Sequence, residues 1–326
     1  MTGVVDLYDI ALLINYERGT TEPRFRHAKL REIVRKNDQF KTILMFPDQP
    51  WFQYQGKEKV AFVFDRTTPK DETERDTPQN ILPNPIPADD LNLKGLTPKE
   101  LETIFWQVRA HDACYASVGI LQHFFDLYPP DTKLRVRTGT GEEYITTIST
   151  RVILELQLIE PITMTYGIVM PENKAYVTGG QPNMEHAVFG FARSTDGNID
   201  TILDLASMQF GDAGRGLGGK SLFAVENMDR FYDRIEKIAR GADTENARTS
   251  QVIIPSQDKA FETRLRDIAK KVKQRWEKRA LEHWCGHCGA PVEKLRCSLC
   301  QVAFYCDKDH QVAAWPFHKR FCIARK

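Results

Sequence analysis

The feature that most constrains this chain is the placement of its cysteines. Six of the seven lie between Cys285 and Cys322, in the run CGHCGAPVEKLRCSLCQVAFYCDKDHQVAAWPFHKRFC. Two C-x2-C pairs, Cys285/Cys288 and Cys297/Cys300, are followed by Cys306, His310, His318 and Cys322. A C-x2-C pair holds two thiolates on one knuckle at tetrahedral bonding distance. The later pairs, each at i, i+4, are expected to project from one helical face. Eight soft or borderline ligands make two closed four-ligand sites, with no position left for a substrate. So short a segment has too little apolar surface for its own core, so two structural Zn2+ ions would supply its folding free energy. His283 and His287 lie close by as alternative ligands.

Composition bounds the rest. The chain has 326 residues and 41% hydrophobic content, which suits a soluble globular protein of two or three packed units. Lysine plus arginine (45) almost cancels aspartate plus glutamate (44), so no global field points to nucleic acid or an anionic membrane. The start, MTGVVDLYDIALLINYERG, lacks a basic segment before its apolar residues, and no apolar run reaches membrane-spanning length. The expected location is cytoplasmic or nuclear, where thiols stay reduced and clustered cysteines favour metal over disulfides.

Along the chain, residues 1–83 mix a helical pattern (RHAKLREIVRKN) with short apolar runs such as KTILMF and KVAFVF. The stretch from Arg66 to Lys94 is proline-rich and charged without a period, and reads as a surface loop or mobile linker. LTPKELETIFWQV then opens a helix with Thr97 as N-cap, Pro98 in the first turn and Glu100 completing a capping box. A second helix is expected from Asp112, ending at Pro129-Pro130. Seven short, β-branched and often alternating runs follow, from KLRVRTG to DTILDLA, and predict a mostly antiparallel sheet in an α+β core over 84–245. Residues 221–240 return to helix, and GADTENARTSQVIIPSQ reads as a polar connection. Within 246–283 an amphipathic helix carries Phe261, Leu265, Ile268, Val272 and Trp276 on one face and leads into the cysteine-rich unit, 284–326.

Cys114 is the cysteine outside the cluster. With Asp112 as cap it would lie in the first turn of its helix, where unpaired amides and the helix dipole favour a thiolate. His186 opens the strand HAVFGFAR, and Asp204 lies in the next, TILDLAS. Neighbouring antiparallel strands could set the histidine and aspartate side by side facing Cys114, as nucleophile, base and orienter. Gln107 upstream could supply an oxyanion donor. A buried, inert cysteine on an apolar helix face is the simpler alternative.

GRGLGGKS, residues 214–221, fits the letters of a phosphate-binding loop. Such a loop follows a buried parallel strand and opens a helix, whereas the strands here alternate as antiparallel ones do. We read it as a glycine-rich loop beside the strand of Asp204, able to border the cysteine site as a rim, and expect no nucleotide.

Two resemblances follow from these residues. The C-terminal spacing resembles the MYND-type zinc finger over about the last forty residues. The resemblance implies interleaved sites, one from Cys285, Cys288, Cys306 and His310, the other from Cys297, Cys300, His318 and Cys322. His310 stands where the family usually has cysteine. It also implies docking of a partner protein through a short proline-containing peptide. The order helix-borne cysteine, strand-borne histidine, next-strand aspartate is similar to the papain-like superfamily, more closely its transglutaminase-like branch, from about Thr97 to Gly211. That resemblance implies Cys114 as nucleophile, His186 as general base and Asp204 as its orienter, with Gln107 carried over only loosely. The expected activity is thiol-dependent acyl chemistry on an unknown acyl substrate, by hydrolysis or transfer. The competing expectation is a non-catalytic adaptor whose finger is the functional part.

Overall fold

The computed structural model describes residues 3–35, 40–41, 49–53, 56–69, 71–87, 90–194, 198–293 and 295–324. The expected apolar run KTILMF lies almost wholly outside them. β1 (Val5–Asp6) runs straight into α1 (Leu7–Gly19), which is buried along nearly its whole length. β2 (Ala28–Arg35), α2 (Pro50–Gln53), β3 (Glu58–Arg66), α3 (Leu91–Lys94), α4 (Pro98–Arg109) and α5 (Ala113–Phe125) follow. Then come β4 (Lys133–Arg137), β5 (Glu143–Thr147), β6 (Arg151–Pro161), β7 (Thr163–Met170), β8 (Lys174–Thr178), β9 (Asn183–Phe191) and β10 (Thr201–Asp204). The chain continues through α6 (Leu217–Lys220), β11 (Ala224–Glu226), α7 (Met228–Ile238), β12 (Ala239–Ser250) and α8 (Lys259–Glu277). The finger adds β13 (Leu295–Arg296), β14 (Phe304–Tyr305) and α9 (Lys308–His318).

The described strands form several sheets in a mixed α/β fold. Five strands in the order β11-β10-β9-β6-β12 are wholly antiparallel. Alternate residues of β9 serve two cores: Ala187, Phe189 and Phe191 face the main cluster with α5, while Val188 joins Phe231, Ile235 and Ile238 of α7. β9 is therefore buried on both faces from His186 onward, unlike a half-exposed antiparallel strand.

The second sheet, β2-β3-β7-β8, ties the N-terminal residues to the core. It joins strands of the first eighty residues to β7 through a parallel pairing, Glu58 with Thr163 to Asp65 with Met170. Residues 1–83 thus share a sheet with the core, and the sheets are not antiparallel throughout. A boundary at 245 likewise falls inside β12, which pairs with β6 from Ala239 to Ser250. The polar text of β12 concealed a strand because it forms a sheet edge, where no alternating apolar face is needed. The segment 66–94 is also tied down: buried Asp76 pairs with fully buried Arg109 at 3.3 Å, and Ile81 is buried in the main core.

One helix signal fails: within RHAKLREIVRKN, Ala28–Arg35 forms β2 paired with β3, burying Ala28, Leu30, Ile33 and Val34, whereas the later ones hold. Both bonds of the Thr97/Glu100 capping box are made at the start of α4. On α8, Leu265, Ile268, Val272 and Trp276 are buried, and Phe261 sits half-exposed at the edge of that face. α8 packs against α1 and α5 and so delivers the finger onto the core.

Candidate functional site

The eight ligands expected in the C-terminal segment converge as two sets of four, each with its donor atoms within 4.8 Å of one another. One set is Cys285, Cys288, Cys306 and His310; the other is Cys297, Cys300, His318 and Cys322. In the first, Cys285 Sγ lies 3.3 Å from His310 Nδ1 and Cys288 Sγ 3.6 Å from Cys306 Sγ. In the second, Cys297 and Cys322 Sγ are 3.8 Å apart and Cys300 Sγ is 3.5 Å from His318 Nε2. These spacings far exceed an S–S bond and match the edge of a tetrahedron with metal–sulfur bonds of about 2.3 Å, roughly 3.8 Å. The residues therefore fit two zinc ions, one per set.

Local sequence builds these sites. The first knuckle turns at Gly289, φ +78°, where a Cβ would lie 2.4 Å from the Leu12 carbonyl oxygen of α1. The His287 amide points at Cys285 Sγ, the contact that steadies a thiolate. α9 is capped by Asp307, which accepts from the His310 amide. The expectation of pairs on one helical face needs adjustment, because Cys306 precedes α9 and Cys322 follows its end. His283 stacks on Phe304 instead of joining a set, and His287 bonds Glu102.

The finger is not a pendant module. Cys285, Cys288, Tyr305 and Phe317 belong to the same apolar cluster as α1 and α5. Tyr8 of α1 stacks on Phe317 at 3.5 Å between ring centroids, and Arg137 of β4 lies over the rings of Phe317 and Phe321. Buried Arg275 of α8 ties Glu17 of α1 to the Gly289 carbonyl.

The glycine-rich loop belongs to this junction. Gly214 and Gly216 are demanded by close backbone approach: a Cβ would meet Ser207 O at 1.7 Å and Phe223 O at 2.2 Å respectively. Gly218 lies against Pro316 of α9, so the loop borders the finger. The segment just before it, Ser207–Gly214, is what reaches the cysteine site.

In the core, Leu203 pairs with Phe189, which sets the next residue, Asp204, on the same face of the sheet as His186. His186 Nε2 lies 2.9 Å from Asp204 Oδ2, with both side chains fully buried. Cys114, 3% exposed in the first turn of α5, stands close enough to His186 to favour the protonated ring. Asp112 occupies the N-cap position at φ +48° but makes no side-chain cap; its carboxylate pairs with His111 at 2.8 Å. Cys114 lines a cavity of about 380 Å³ with Tyr115, Gly179, Gly180 and Glu185.

Burial opposes an imidazolium at His186, but the Asp204 carboxylate and then Cys114 overcome it and push the ring up to about 10. Burial likewise opposes charge on Asp204, and His186 with Arg234 holds it well below the usual carboxylate range. Arg234 sits 3.0 Å from the same Asp204 oxygen, while the other oxygen accepts the Ala206 amide.

Gln107 is engaged elsewhere, donating to Thr165 Oγ1 at 2.6 Å and packing on Gly211. The carboxamide that touches the histidine is Gln209, 3.3 Å from Nδ1. A charged ring has no lone pair at Nδ1, so Gln209 must turn its Oε1 toward it. That turn gives a hydrogen bond to an oxygen otherwise without a partner among the described residues. Sequence pattern missed Gln209 because it lies in an irregular turn with no period.

Geometry and donor set thus define a two-site structural zinc finger packed on a mixed α/β core. Residues 285–322 match the family described as the MYND finger. MYND fingers generally mediate protein interactions. No curated protein and no solved structure matches the chain. No helix among the described residues is long and apolar enough to cross a membrane.

Proposed function

We propose that the core performs thiol-dependent acyl chemistry through Cys114, His186 and Asp204, while the finger docks a partner protein. One observation carries this reading: His186 hydrogen-bonds Asp204 and lies beside Cys114, in a site where none of the three exceeds 3% exposure. The order and roles are those of the papain-like and transglutaminase-like resemblance. Cys114 Sγ attacks a carbonyl carbon after its proton has passed to His186, so that the charged ring faces the reacting centre. The bond to the amine or alcohol breaks as His186 returns that proton to the leaving group, and a thioester remains. Water, or a second amine, then attacks the thioester and gives its proton to His186, releasing the acyl product and restoring Cys114. Asp204 orients the ring and balances its charge.

A short proline-containing peptide is the proposed occupant of the finger, which exposes Leu299, Val302, Val312 and Trp315. A second reading, an adaptor with an inert core, is favoured by the sharing of Asp204 between His186 and Arg234. Iodoacetamide separates the two. With peptide mapping near neutral pH, Cys114 alkylates faster than an ordinary thiol, and His186→Ala slows it. Equal, slow labelling of both proteins supports the adaptor. In either reading the protein is proposed to act in the cytoplasm or nucleus, without nucleotide or nucleic acid.

A further inference from the structure

Where α4 meets the finger, a cavity of about 510 Å³ is lined by Glu102, Arg215, the glycine-rich loop, His287 and His310. Glu102 comes from the core and is buried, yet its carboxylate faces the zinc-binding segment. Its Oε1 is 2.8 Å from His287 Nε2 and 3.8 Å from His310 Nε2, and its Oε2 is 3.0 Å from Arg215. His310 thus has Nδ1 turned to Cys285 in the first ligand set and Nε2 turned to a core carboxylate.

We propose that Glu102 is the outer-sphere partner of the first zinc site, acting through His310, so that this metal is held jointly by the finger and by core helix α4. An imidazole bound to metal through Nδ1 keeps its proton on Nε2, and a carboxylate accepting that proton fixes the ring and raises its strength as a ligand. A small rotation of the ring turns the 3.8 Å approach into a hydrogen bond, and Oε1 has lone pairs for both histidines. Histidine is essential to this arrangement. A cysteine there would still bind zinc, but a thiolate has no second polar atom to offer Glu102.

Arg215 extends the link. It pairs with Asp212 at 2.7 Å and donates to Thr103 and the Lys220 carbonyl, so the glycine-rich loop is held by the same carboxylate that faces the metal site. A third metal ion among Glu102, His287 and His310 would need Oε1, which already bonds His287 at 2.8 Å, and His310 Nε2, which keeps its proton once Nδ1 is on the first zinc.

The test is zinc release from the full-length, zinc-loaded protein into a chromogenic chelator, read as a double-mutant cycle. Glu102→Gln preserves shape and removes the charge. It should speed release of one of the two zinc ions by about ten-fold or more, the usual size of an outer-sphere effect. In the His310→Cys background the same substitution should change release by less than about two-fold, because the connecting ring is gone. No effect of Glu102→Gln in the otherwise native chain overturns the proposal. So does an equal effect in both backgrounds, which would mark a general loosening through His287 or Arg215. Should His310→Cys not retain two zinc ions, NMR decides: the Nε2 proton of metal-bound His310 should resonate downfield and move upfield in Glu102→Gln. A resonance indifferent to that substitution overturns the proposal equally.

Discussion

Replacing Asp204 by asparagine probes the charge state of the buried His186–Asp204 pair. His186 carries two separable attachments to Asp204: the hydrogen bond at 2.9 Å and the charge that, with Cys114 adding to it, lifts the ring from its usual 6.5 to about 10. The charge has a signature in pH. In a Cys114→Ala background no thiol can lend its proton, so His186 must take one up from solvent on folding. Between pH 6.5 and the raised folded value, the native state then holds one more proton than the unfolded state. Stability therefore falls as pH rises, by about 1.4 kcal/mol per unit, or roughly 2 °C in Tm for a chain of this size. The contribution is complete below 6.5 and gone above the folded value. Adding Asp204→Asn removes the carboxylate, leaves burial to hold the ring neutral, and abolishes that slope. Arg234 also loses its partner, but an arginine stays charged throughout this range, so its cost shifts the curve without tilting it. Breaking the buried pair should cost about 3–5 kcal/mol at pH 6.5, read by thermal or urea unfolding from pH 6 to 10. Parallel curves for the two proteins would refute the charged histidine and leave a neutral His186 bonded to Asp204.

Other outcomes follow from packing. Because the finger shares the main core, chelating zinc should lower the Tm of the whole chain in a single transition; a core that melts unchanged would contradict the shared cluster. Phe317→Ala, losing the stack on Tyr8, should cost about 3–5 kcal/mol in urea unfolding, and a cost near zero would place the finger off the core. Gly216→Ala forces a Cβ to 2.2 Å from Phe223 O and should destabilise by more than about 2 kcal/mol, whereas Gly219→Ala, in open space at φ +66°, should cost about 1–2 kcal/mol. Equal, small effects at both glycines would return the loop to a free surface role.

The ligand sets were legible because zinc demands donors at fixed spacing, and that spacing is written locally in the chain. The triad pairing of His186 with Asp204 was legible for a similar reason: two adjacent strands of known period place alternate residues together. What escaped was non-local or unpatterned. The parallel pairing of β3 with β7 joins residues about a hundred positions apart with no intervening signal. β12 is an edge strand of polar residues, and an edge needs no apolar alternation. Gln209 sits in an irregular turn, and Glu102 looks like any charge on an amphipathic helix until the finger folds over it. GRGLGGKS carries the letters of a phosphate loop, yet its glycines answer to backbone crowding at 214 and 216 and to the finger at 218.

The most direct test of the central claim is acylation of Cys114 by a small activated ester. Zinc-loaded protein mixed with p-nitrophenyl acetate should release a burst of about one nitrophenolate per chain, with the acetyl group mapped to Cys114 by mass spectrometry. His186→Ala should slow the burst and Cys114→Ala should abolish it. A folded, zinc-loaded protein showing no burst and no acetyl on Cys114 would contradict the catalytic reading and leave the MYND finger as the working part of the chain.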